Sequence, residues 1–219
     1  MVSLAEKMAA NMDMSAFSKA EELKKRLWFT VLALIVFRLG TFIPLPGIDP
    51  KILAEIFARN SGGILGMFNM FAGGALERMT IFALNIMPYI SASIILQLGQ
   101  SVIPSLAALK KDGEAGHRKI THYTKILTVF ITIIQGYGIA VGLSAVVMPG
   151  FIFKFTTIVS LVGGTMFIVW LGEQITSRGV GNGSSLIITV GIIANIPSAL
   201  AQTFELGRVG SMSLGVIAM

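Results

Sequence analysis

The chain has 219 residues, 54% of them apolar and only 13% charged, with a mean hydropathy of +0.79 and a net charge of +6. A soluble domain carries about a quarter charged residues; here long apolar runs exclude that class and indicate an integral membrane protein. No cysteine is present, so neither disulfide nor thiol chemistry enters, and the basic residues sit beside apolar runs, where they set topology rather than bind nucleic acid.

Residues 1–26 form a polar tail, and the first apolar run starts at Leu27. No small-residue cleavage site follows it, so no cleavable signal peptide is expected. The tail segment SAFSKAEELKKRL, with Phe17, Leu23 and Leu27 among charges, reads either as a short surface helix or as a frayed terminus. Spans are expected at 27–43, 79–99, 126–148, 155–172 and 185–202. The first contains Arg38, the only basic residue inside a span, which is costly there unless paired or facing water. It is expected to snorkel to the interface, with no acidic partner in another span.

Residues 66–78 (GMFNMFAGGALER) are too short and too broken to cross. A half-length, glycine-rich apolar piece leading into a full span is expected to be re-entrant, a backbone tolerated at membrane depth only where protein or a water-filled cavity satisfies it. The second span, Met79–Gly99, has Pro88 as its only helix breaker and carries a polar stripe of Ser91, Ser93 and Gln97. Ile86 and Ile90, four apart, share a helix face.

The basic loop KKDGEAGHRKIT at 110–121 follows. The fourth span carries the close-packing pair Gly163 and Gly164, and Ile168 is expected to face lipid. The segment RGVGNGSS lacks the preceding strand and the lysine of a P-loop. It reads as a tight turn, with Asn182 and Ser184 able to cap the fifth span. That span is interrupted by Asn195 and Pro197. A sixth apolar run begins near Met212, and the chain stops at Met219 inside it, so a fragment or one half of a longer polypeptide is expected.

The tail and the loop between spans two and three each carry five basic residues, against three in segment 44–78 and one in 149–154. The richer segments belong on the cytoplasmic side, which puts the N-terminus inside. His117 and His122 stand in the basic loop with no carboxylate in metal-ligand spacing, and no GxSxG, HExxH or paired intramembrane aspartate occurs. No catalytic residue, metal or cofactor is expected.

Six segments carry a specific wording: KKRLWF at 24–29, FRLGTFIPLPGID at 37–49, FNMFAGGALER at 68–78, IFALNIMPYISASIILQL at 81–98, KKDGEAGHRKIT at 110–121 and VSLVGGTMFIVWLGEQITSRGVGNG at 159–183. In this order they closely resemble SecY, the channel subunit of the bacterial Sec protein translocon, over the N-terminal half of that family. The resemblance implies an all-α, polytopic fold of five transmembrane helices, a re-entrant plug helix and the start of a sixth span. Together these form one half of an inverted-repeat clamshell.

It further implies a pore ring of Ile86, Ile90 and Ile188, an apolar constriction that dewets when closed. Ser184 departs from the aliphatic residue common there. The plug would span 64–76 with Met67, Phe68, Asn69, Met70 and Phe71 as adaptable contacts and Gly73 and Gly74 as a hinge. Ser91, Ser93 and Gln97 would belong to a lateral gate. Lys110, Lys111, Arg118 and Lys119 would form a cytoplasmic loop contacting lipid headgroups, ribosome or motor, although the family's main docking loops lie in the other half.

The implied function is to pass unfolded polypeptides across, and membrane segments sideways into, the bacterial inner membrane. The implied partners are SecE-type and SecG-type membrane subunits, a SecA-type ATPase motor, the ribosome, signal-sequence-bearing substrates and membrane lipids. From the residues alone, lipid-facing isoleucines, an immobile re-entrant loop and permanently packed helices stay open. So do a small-solute transporter, which would place ionisable residues mid-membrane, and a membrane-anchored interaction module.

Overall fold

The computed structural model describes residues 4–46, 72–143 and 150–197. Helix α1, Leu4–Gly40, holds no proline and no glycine before its last residue, so the polar tail runs into the first apolar run as one helix of 37 residues. At its end Thr41 Oγ1 donates to the Arg38 carbonyl at 2.6 Å. The chain then pairs briefly with a later segment: Leu45 N donates to Met79 O at 2.9 Å and Ile81 N to Ile43 O at 3.1 Å, around an isolated Pro44–Thr80 bridge.

Residues 72–86 form successive turns. Gly73, Gly74, Met79 and Asn85 all take positive φ, which ends any helical run. Helix α2 therefore starts at Met87 and runs to Val102, not from Met79 as the apolar run suggests. Pro88 does not break it: it lies in the first turn, where a missing N–H removes no intrahelical bond. At the other end Pro104 forces Ile103 into an extended conformation (φ −98°, ψ 113°). The chain turns by 103° into the short helix α3, Pro104–Lys111. Gly113, at φ 63°, makes the next break. Helix α4 (Gly113–Leu143), helix α5 (Phe151–Arg178) and helix α6 (Gly183–Ile193) complete the described chain.

The architecture is all-helical. Among the described residues α4 and α5 are long and apolar enough to cross a membrane, and the bent pair α2–α3 is a third candidate; α6 is apolar but short. Helix α4 lies along both α2 and α5, while α1 packs on α5 and touches α6. The α4 face at Thr124, Thr128, Thr132, Gly136 and Ala140 is buried. Each of those threonine hydroxyls donates to the carbonyl four residues back, so none is left unsatisfied.

Two apolar clusters form the interior. One joins Phe37 of α1, Phe82 and Ile86 of the turns, Ile168 and Ile175 of α5 and Ile187 of α6. The other gathers Leu45, Ala75, Met79 and Ala83 against Leu161. Ile168, expected to face lipid, is fully buried in the first. The outward faces are apolar instead, with Trp28, Leu32 and Leu39 on α1 and Phe130, Ile134 and Tyr137 on α4 all exposed. Helices apolar on both their buried and outward sides suit a lipid environment.

Candidate functional site

The turns before α2, the start of α2 and helix α6 meet at one place. Ile86 is fully buried, and Ile90 and Ile188 pack half-buried against the same cluster. Ile86 is the N-cap of α2 rather than part of a longer helix, but Ile90 N donates to its carbonyl at 3.1 Å, so the two still stack one turn apart. Of these three, Ile90 and Ile188 keep part of their surface exposed and Ile86 does not. Ser184 packs over Gly172 of α5, beside Ile187. Its neighbour Asn182 is the residue that caps α6, its Oδ1 accepting from Ser185 N at 3.2 Å.

Of the expected plug, Met67, Phe68, Asn69, Met70 and Phe71 lie outside the described residues. Gly73 and Gly74 are described, at φ 65° and 79°. Gly73 is buried against α6: a Cβ there would stand 3.1 Å from the Gly191 Cα. Its carbonyl accepts from Arg38 Nη1 at 3.0 Å. Arg38 thus offsets the cost of a cation in an apolar helix by bonding a backbone carbonyl, and among the described residues no acidic side chain pairs with it. Its guanidinium also lies over the Phe42 ring, 5.2 Å from the centroid, and Arg78 lies over the same ring at 4.7 Å.

Ser91 and Ser93 are half-buried on α2, and Gln97 is exposed, its Nε2 donating to Ser93 Oγ at 3.2 Å within the helix. Lys110 and Lys111 end α3, while Arg118 and Lys119 lie in the first turns of α4, with Arg118 paired to Glu114 at 2.8 Å in solvent. The break at Asp112 and Gly113 keeps these two groups on separate helices.

Three tethers around the site were not foreseen from sequence. The Phe82 ring stacks between Phe37 and Phe167 (6.1 and 5.8 Å), and Phe167 continues to Trp170 at 5.7 Å. Gly40 and Gly164 lie where a Cβ would collide with the Phe82 ring and the Ile81 carbonyl respectively. Thr30 Oγ1 accepts from Val180 N at 3.0 Å, which ties α1 to the α5–α6 turn. Lys125 Nζ and Glu173 Oε2 form a 2.8 Å ion pair between α4 and α5. The aromatic residues and the glycines were visible, but the partners lie too far along the chain for any spacing rule to join them.

A family profile described as SecY matches residues 80–219. The chain is 56% identical over 203 residues to the protein translocase subunit SecY of Escherichia coli K12, covering 90% of this chain and 46% of that one. It is 52% identical over 207 residues to the subunit of the same name from Rickettsia conorii, covering 90% and 48%. The chain thus spans just under half the length of these relatives. Its fold is similar to a solved structure described as a protein conducting channel, at a TM-score of 0.54 and 18% identity, covering 86% of this chain and 38% of that one. Sec61 in a canine ribosome-channel complex from the endoplasmic reticulum matches with the same TM-score and identity, over 86% and 39%. With identity above one half across nine-tenths of its length to proteins of that name, the chain belongs to the SecY family.

Proposed function

We propose that this chain forms the N-terminal half of a protein-conducting channel in the bacterial inner membrane, with its N-terminus in the cytoplasm and five spans across the bilayer. It passes unfolded polypeptides across and releases membrane segments sideways. The observation that carries the reading is the convergence of Ile86, Ile90 and Ile188, from two separate parts of the chain, on one apolar cluster. Ile90 and Ile188 present the constriction, and Ile86 supports it from behind. Branched aliphatic side chains yield to an extended chain, yet deny water and ions a path when they close.

The Gly73–Gly74 turn forms the base of the plug, and α2 with Ser91, Ser93 and Gln97 forms one wall of the lateral gate. The channel performs no chemistry of its own. Energy comes from a SecA-type motor or the translating ribosome, and SecE-type and SecG-type subunits complete the membrane assembly. Lys110, Lys111, Arg118 and Lys119 meet headgroups or a cytosolic partner.

Site-specific crosslinking tests this. A photoreactive residue at position 90 or 188 is expected to capture a stalled secretory chain, while one at Phe130, on the exposed face of α4, captures lipid. A secretory chain that never contacts 90 or 188 while crossing would sink the reading.

A further inference from the structure

The turns before α2 are attached in two different ways. Residues 79–82 are held by several interactions at once: the backbone pairing with Ile43 and Leu45, and the Phe82 ring stacked between α1 and α5. The Gly73–Gly74 turn lies farther upstream, in the seam between α1 and α6. Both glycines are left-handed, a conformation only glycine takes without strain. The turn touches the Gly191 backbone so closely that a Cβ on Gly73 would press on it. From α1 the tie is polar: Arg38 Nη1 donates to the Gly73 carbonyl at 3.0 Å. A hydrogen bond from an ionised donor is about twice as strong as a neutral one. The guanidinium also shares the Phe42 ring with that of Arg78, at 5.2 and 4.7 Å from its centroid.

Gly191 and Ile188 are three residues apart on α6, hence on one side of that helix. The depth at which the turn docks against Gly191 therefore bears on the side of α6 that carries Ile188. We propose that Arg38 is a positioning residue: by holding the Gly73 carbonyl it keeps the Gly73–Gly74 turn wedged between α1 and α6, and so fixes the distance of Ile188 from Ile90. Without the bond the turn backs away from Gly191, and α6 loses its contact on the α1 side while keeping its packing on α5. The meaning of that distance rests on the channel reading; the docking itself does not.

The absence of cysteine gives a clean background for the test. A single Ala75→Cys, at a position fully buried beside the turn, reports docking through its labelling rate with a water-soluble maleimide in native membranes. Arg38→Gln is expected to speed labelling about tenfold, the shift in opening equilibrium that follows loss of a hydrogen bond to a charged group. Arg38→Lys keeps a charge and a donor but loses the rigid fork, and is expected to give a smaller, measurable rise; it carries the test if the Gln variant does not accumulate. Thr30→Val cuts a different polar tie of α1, to Val180, and is expected to leave the rate unchanged. In parallel, Arg38→Gln is expected to raise resting ion conductance and Thr30→Val is not.

Labelling unchanged in both Arg38 variants, or accelerated as much by Thr30→Val, overturns the proposal. If Ala75→Cys responds to Arg38→Gln but positions 90 and 188 never capture a translocating chain, the channel reading falls and the docking role of Arg38 stands. Crosslinks from 90 and 188 with an unresponsive Ala75→Cys keep the channel and remove the role.

Discussion

The ring of Phe82 stacks on that of Phe167 at 5.8 Å with the planes only 8° apart, which fastens the turns before α2 to the middle of α5. Phe82 is 3% exposed and also meets Phe37 on its other side. Aromatic pairs at such separations add about 0.5–1.5 kcal/mol beyond the area they bury. Phe82→Leu is therefore expected to lower stability modestly, and Phe82→Ala by about 3–5 kcal/mol, the cost of a large cavity. Thermal unfolding in detergent checks both; equal losses for the two would mean that the ring is not packed as described.

Gly163 and Gly164 look alike in sequence, but their substitution is expected to have opposite effects. A Cβ on Gly164 runs into the carbonyl of Ile81, whereas one on Gly163 meets nothing within 4 Å. Gly164→Ala is expected to destabilise by pushing α5 from the turns. Gly163→Ala is expected to stabilise, by up to about 1 kcal/mol of helix propensity. Paired unfolding measurements decide it.

Lys125 and Glu173 join α4 to α5 with each side chain about one-third exposed (35% and 33%). Partial exposure screens the pair, so its coupling is expected to be about 1 kcal/mol rather than the several of a buried pair. A double-mutant cycle of Lys125→Met and Glu173→Gln measures it, and strict additivity would show that the pair contributes nothing.

Asn182 closes the N-terminus of α6 through Ser185 N. Asn182→Ala is expected to cost about 1 kcal/mol, and Asn182→Asp to be nearly neutral. Ser184→Ala, which removes no cap bond, is expected to change little. The same unfolding assay ranks the three.

Ile90 and Ile188 keep exposed surface, while Ile86 is fully buried. Asn at position 90 or 188 is expected to raise resting ion conductance, because a polar side chain wets an apolar constriction. Ile86→Val is expected to cost about 0.5–1.5 kcal/mol of stability and to leave the seal intact. A tight seal in the Ile90→Asn and Ile188→Asn channels would count against the constriction.

Run length, hydropathy and charge placement determined that the chain is helical and built for a membrane, because those properties are local sums along the chain. The asparagine cap of α6 was legible for the same reason: a cap is satisfied within three residues. The motif wording identified the family. What the tertiary structure alone decided are relations between distant segments. An apolar run from Met79 to Gly99 has the composition of one helix, yet its first part is turns, held by Phe82 between α1 and α5 and by pairing with Leu45. Ile168 was expected to face lipid and lies in the core, since in a membrane helix apolar residues line every side and periodicity cannot say which is inward. Gly163 and Gly164 differ only by about 100° around the helix. Arg38 found a backbone carbonyl 35 residues away, and since every residue carries a carbonyl, no side-chain pattern could have marked that one as its partner.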